Sequence, residues 1–300
     1  MSTAPDILYH MGGAPVTGGD LFTTGSIFWV DSSTGSDTAL GTKKSAPLAT
    51  IDTAIGKCSA NKGDVIIVFA GHSETLTSSI TVDVAGVSII GLGTGNTRPS
   101  LTANFSSAGN TINITAADVR IKNLRFVTPS ESQLSAIQIA GANAIIEGNK
   151  FEGGANFLDG IVILAAGDYA IIRDNFFAVT ANGPDSAIRW QAASDHVQII
   201  NNYFDGGTDT NAWDDAAIDA ANSAGSDVVV TNLRIHGNTF LYGVGVDINS
   251  AGTTGFITYN NFGEGTLGSM LDPGELMCTN NFEADAKDEK AREFPTSGAS

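Results

Sequence analysis

The chain has 300 residues, with 32 acidic against 15 basic side chains and a formal net charge of −17. That balance argues against a nucleic-acid ligand and against an anionic membrane surface, and no apolar run reaches the length of a transmembrane helix. Hydrophobic content of 42 % with 35 glycines and only 16 % charged residues fits a turn-rich β protein.

Residues 1–26 combine Met11-Gly-Gly-Ala-Pro15 and Gly18-Gly19 with scattered Ile7, Leu8, Tyr9, Leu21 and Phe22. This segment is too apolar for a solvated tail and too glycine-rich for a domain. It reads as an assembly arm laid on a neighbour, or as a strap on its own domain. No basic start followed by an apolar core marks a secretory leader. Ile27 to Asp31 is an expected strand, followed by turn residues Gly35, Gly41 and Pro47. From Thr50, the residues Ile51, Ala54, Ile55 and Cys58 fall at i, i+3, i+4, i+7, the pattern of a short amphipathic capping helix. The stretch from Gly63 to Glu74 begins a stack of strands, continued by Ile80–Val82 and Val87–Ile90. Cys58 and Cys278 lack metal-site spacing and read as buried thiols.

Beyond residue 120 the chain repeats. Phe126, Phe151, Phe177, Phe204, Phe240, Phe262 and Phe282 recur at intervals of 20 to 36 residues. Six of them close an apolar-x-x-Asn-x-Phe unit, whose Asn is Asn149, Asn175, Asn202, Asn238, Asn260 or Asn280; the Phe126 unit has Leu124 instead. The units are β-branched pairs bounded by Gly, Asn and Asp. A second short strand follows each Phe and alternates at period two, as in Ile137/Ile139, Ile161/Ile163 and Ile188/Trp190. Short strands at this period make an all-β, single-stranded parallel β-helix, a solenoid spanning residues 27–282, with a charged cap or tail at 283–300. Handedness is expected to be right-handed, as parallel crossovers are. Phe is expected to stack in the interior, and Asn to form an amide ladder at a turn.

The run Trp29-Val-Asp31, Gly35-Ser-Asp37, Gly41, Pro47, Thr50-Ile51, Ala54-Ile55, Gly63-Asp64, Gly71 and Glu74 resembles the opening of right-handed parallel β-helix proteins of the pectate-lyase-like superfamily. The resemblance implies the fold, and a choice among lyases, hydrolases, tailspikes and non-enzymatic virion proteins.

Chemistry has one candidate column. Asp159, Asp185 and Asp215 each lie two or three residues before a second-strand isoleucine, with Asp214 beside them. Successive coils would place them about 5 Å apart. Such acids suit glycoside cleavage, Ca²⁺ binding, or simply turns. Trp213, on an Asp-rich insertion, suits a sugar platform or a partner contact. The superfamily's lyase and polygalacturonase motifs are matched only by Arg98-Pro99, Arg120-Ile-Lys122 and Asp214-Asp215, without Gly-His-Gly.

Three functions follow. The first is a bacteriophage virion protein: a homotrimeric capsid decoration (cement) protein attached to the major capsid protein through its arm, made in the host cytoplasm, with no cofactor. The second is a tailspike-like polysaccharide depolymerase. The third is a non-catalytic protein that binds host surface glycans.

Overall fold

Strand after strand pairs in parallel with its counterpart one turn later, so the described residues form three long sheets and one two-stranded sheet, Ser194–Asp195 with Val230–Thr231. The structure is a computed structural model and describes residues 23–105, 109–127, 133–153, 157–180, 184–207, 213–221, 225–263, 271–284 and 291–293. The first sheet has ten strands, from Ile27–Val30 to Met277–Thr279. The second has eight, from Ile80–Val82 to Leu271–Asp272. The third runs from Ser73–Leu76 to Phe282–Ala284 and ends on Ala291–Glu293, which pairs antiparallel. In each turn the chain passes from the first sheet to the third and then to the second. The arm residues Ile7, Leu8, Tyr9, Leu21 and Phe22 lie outside the described residues.

Stacking in register puts like residues in columns. Ile66, Ile89, Ile121, Ile146, Ile172, Ile199, Ile235 and Ile257 form one fully buried column of the first sheet. Phe126, Phe151, Phe177, Phe204, Phe240 and Phe262 form another, with ring centroids 4.5 to 5.0 Å apart and planes within 8°. That spacing is the distance between paired strands, so the backbone imposes face-to-face stacking on the rings. Trp190 is also interior, its indole N–H donating to Ser194 Oγ at 2.9 Å.

The asparagines form a buried ladder. In each rung the Oδ1 accepts from both the backbone N–H and the Nδ2 of the preceding Asn. Its own Nδ2 reaches back to a carbonyl of the turn before. For Asn202 these contacts are Asn175 N at 3.0 Å, Asn175 Nδ2 at 3.0 Å and Ile172 O at 2.9 Å. The same pattern runs from Asn149 through Asn175, Asn202, Asn238 and Asn260 to Asn281.

Two expectations are corrected here. The last repeat is shifted by one residue. Cys278, not Met277, pairs with Ile257, so Asn281 rather than Asn280 joins the ladder. Phe282 then faces Asn261 and is 38 % exposed, while Glu283 takes the register of Phe262. Left-handed backbone also belongs not to the ladder Asn but to the residue before it. Asn123, Gly148, Asp174, Asn201, Gly237, Tyr259 and Asn280 have φ between 53° and 68°. That conformation opens the tight corner between the first and third sheets, and Gly, Asn and Asp tolerate it best.

The opening motif is a polar network. Asp37 accepts from the N–H groups of Ala49 and Thr50. Thr50 caps the one-turn helix Ile51–Ile55 by accepting from Thr53 N. Glu74 accepts from Ile51 N and lies 3.1 Å from buried His72. The helix is shorter than its sequence pattern: Cys58 falls beyond it, half-buried, with its thiol donating to Ala54 O. Ile51, Ala54 and Ile55 are buried.

Replacing Phe177 by Ala is expected to cost about 3–5 kcal/mol, because the stack above and below cannot close the gap. Asn202→Ala should cost at least about 1 kcal/mol by leaving buried N–H groups of Asn175 without an acceptor. Urea unfolding measures both, and losses under about 0.5 kcal/mol would contradict the ladder register. Tyr259→Asn is expected to raise stability by up to about 1 kcal/mol, since it relieves a left-handed aromatic residue; a lower urea midpoint would count against that reading of the corner.

Candidate functional site on the second sheet

The outer face of the second sheet gathers the charges. Its strands bend where small residues Ala136, Gly160, Ala187 and Ala217 turn inward toward the Phe column. A Cβ on Gly160 would lie 2.6 Å from Ala187 O and 3.2 Å from the Phe177 ring. Outward positions on either side of the bend are therefore three residues apart. Ser186 and Arg189 are such a pair, and Arg189 Nη2 donates to Ser186 Oγ at 3.2 Å.

Arg189 is the centre of the site. It is 4 % exposed and lies among four carboxylates. Its Nε is 3.0 Å from Asp159 Oδ1, and its Nη2 is 3.5 Å from Asp219, 3.8 Å from Asp185 and hydrogen-bonded to Asp215. The contact with Asp159 is an ion pair without hydrogen-bond geometry, so Asp159 Oδ1 makes no hydrogen bond. Burial pushes the Asp159 carboxyl up to about 7; Arg189 opposes this, and Asp185, Asp219 and Asp215 add to it. Asp219 is pushed up to about 6, again by burial first. Asp185 is also raised, by burial against the pull of Arg189.

The predicted acid column is thus only partly a column. Asp185 and Asp215 stack, with Asp215 N donating to Asp185 O at 3.0 Å. Asp159 is in register with Ser186, one residue later, and meets Asp185 only through Arg189. Asp214 is exposed, and Asp214 N donates to Pro184 O. Trp213 is not an open platform: it is 6 % exposed and lines an interior gap with Phe151, Phe177 and Pro184. Among the described residues no group of three or more His, Cys, Asp or Glu is arranged to hold a metal ion. Sequence reasoning missed Arg189 and Asp219. The available signal was Arg189 itself, a rare basic residue set in the alternating strand Ala187-Ile-Arg-Trp190.

Beside the cluster opens a cleft of about 270 Å³. Asn110, Gln138, Asp159, Asp185 and Gln191 line it together with Leu134, Val162 and Leu164. Elsewhere, two glutamates gather basic residues. Glu147, 4 % exposed, takes Arg120, Lys122 and Arg173. Burial would raise its carboxyl, but those three partners hold it below the ordinary range. Glu152 takes Arg125 and Lys150.

No family model and no curated protein matches the chain. Among solved structures it is similar to a rhamnogalacturonan lyase at 14 % identity, covering 80 % of this chain and 74 % of that one with a TM-score of 0.43. A pectin methylesterase in complex with a hexasaccharide gives 13 %, 90 %, 92 % and 0.48. The Geobacillus virus E2 protein ORF18 gives 15 % and 0.42; 78 % of this chain spans 57 % of that one. Likeness this distant says nothing about chemistry.

The raised carboxyls set a pH dependence with a definite sign. Natively, Asp159 and Asp219 keep protons that the unfolded chain has already released, so stability falls as pH rises through 6 and 7. The urea midpoint should decline between pH 5 and pH 8, and Asp159→Asn should flatten that decline. A wild-type midpoint that is flat or rises over this window contradicts the assignment.

Proposed function

We propose that the chain is a structural component of a bacteriophage particle, a homotrimeric capsid decoration protein held to the shell by residues 1–26. The observation that carries this reading is the pairing of each buried ion on the solenoid's faces with several ions of opposite sign. Arg189 is engaged by four acids, and Glu147 by three cations. Buried charge so arranged locks neighbouring turns together, as a displayed rod requires, since breaking one partner out leaves an uncompensated ion. Three-fold assembly and attachment through the arm come from the resemblance of the opening motif to phage β-helix proteins. The arm's apolar residues offer area worth about 25 cal/mol per Å² when covered by a neighbour.

Polysaccharide cleavage in the cleft is a second reading, favoured by Asp159, a carboxyl that keeps its proton near neutral pH beside exposed Asp215. Under the structural reading, incubation with host polysaccharides releases no oligosaccharides. Release that disappears in Asp215→Ala would promote the enzyme.

Deleting residues 1–24 should leave the circular dichroism and melting of the β-helix unchanged and abolish co-sedimentation with capsids, while the full chain behaves as a trimer in light scattering. A monomeric full chain that never sediments with particles, or a truncated one that still does, overturns the proposal.

A further inference from the structure

We infer that the cleft on the outer face of the second sheet binds an uncharged saccharide unit. This goes beyond a role in particle structure and holds whether or not the protein sits on a virion. Three observations carry it. The first is the lining. Side-chain amides of Gln138, Gln191 and Asn110 and carboxyls of Asp159 and Asp185 surround apolar Leu134, Val162 and Leu164. Amides and carboxyls both bond vicinal hydroxyls, and apolar side chains meet the C–H face of a sugar ring.

The second is Asp159. It is 4 % exposed, borders the cleft, and its Oδ1 has the ion pair with Arg189 Nε at 3.0 Å but accepts no hydrogen bond of good geometry. A buried oxygen of this kind is costly unless something donates to it, and a sugar hydroxyl is a donor of the right size. The third is charge. Asp159 and Asp185 border the cleft, and Arg189, paired with both, is also engaged by Asp215 and Asp219, so it is not left to hold a uronate or sialic acid carboxylate. A neutral hydroxyl-bearing ligand needs no further charge there. The volume, about 270 Å³, lies near the lower end of small-molecule sites. That suits one or two sugar units rather than an extended polymer.

The test uses the full chain on a glycan array carrying neutral and carboxylate-bearing oligosaccharides, followed by titration calorimetry with the strongest neutral glycan. Neutral glycans should be retained, with carboxylate-bearing glycans at least about tenfold weaker. Gln138→Ala and Leu134→Asp, both at the cleft surface, should each weaken binding about tenfold or more while the melting temperature stays that of the wild type. Failure to retain any neutral glycan overturns the inference. So does equal or tighter binding of carboxylate-bearing glycans, or wild-type affinity in both variants.

Discussion

Everything in this molecule hangs on the buried amide ladder at the corner between the first and third sheets. Each Asn side chain accepts from the turn before, and its Nδ2 donates both back to a carbonyl of that turn and forward to the Oδ1 of the next Asn, so adjacent turns are held at one vertical spacing. The ladder constrains positions, not intervals. Between Asn202 and Asn238 the chain makes a long excursion, yet the two amides still meet at 3.1 Å. Insertions are therefore accommodated on the far side of the turn, near the second sheet, while the corner stays regular. Phe follows Asn by two residues and inherits the spacing, which is why the rings stack flat rather than in the edge-to-face geometry that free aromatic pairs adopt.

The same vertical repeat makes charge a problem. A like residue in successive turns lies about 5 Å from its copy, so a column of one sign repels itself. Each face answers by placing one ion of opposite sign among several. On the second sheet the order is Arg189, Asp219, Asp247 and Asp272 in register, with Asp159, Asp185 and Asp215 alongside. Asp247, further from the guanidinium, is pushed up by burial and by Asp272, Asp227 and Asp215. On the first sheet the signs are exchanged around Glu147. Rigidity and a polarised cleft are thus two consequences of one arrangement.

Much of the fold was legible in the residues. The Phe interval and the Asn two residues before each Phe report a stacked turn directly, because one backbone geometry must be repeated and few side chains serve it. The final repeat was misread by one residue because Asn280-Asn281 offers two frames, and only packing chooses: Cys278 fits the buried first-sheet column and Met277, 57 % exposed, does not need to. The site was less legible. Asp159 lies two residues before its isoleucine and Asp185 three before its own, so in a strict register Ser186, not Asp185, pairs with Asp159. Arg189 escaped notice because nothing in a local pattern marks the centre of a cluster drawn from three turns. Trp213 looked exposed from its Asp-rich neighbours, whereas its ring is buried beside Phe151, Phe177 and Gly160.

Side-chain amide hydrogen exchange tests the central ladder most directly. The Nδ2 protons of Asn175, Asn202 and Asn238, bonded on both sides and 0–2 % exposed, should exchange as slowly as the backbone amides of the flanking strands. Exchange of these protons at the rate of solvated asparagine, with the strand amides still protected, would show that the turns are held together by something else.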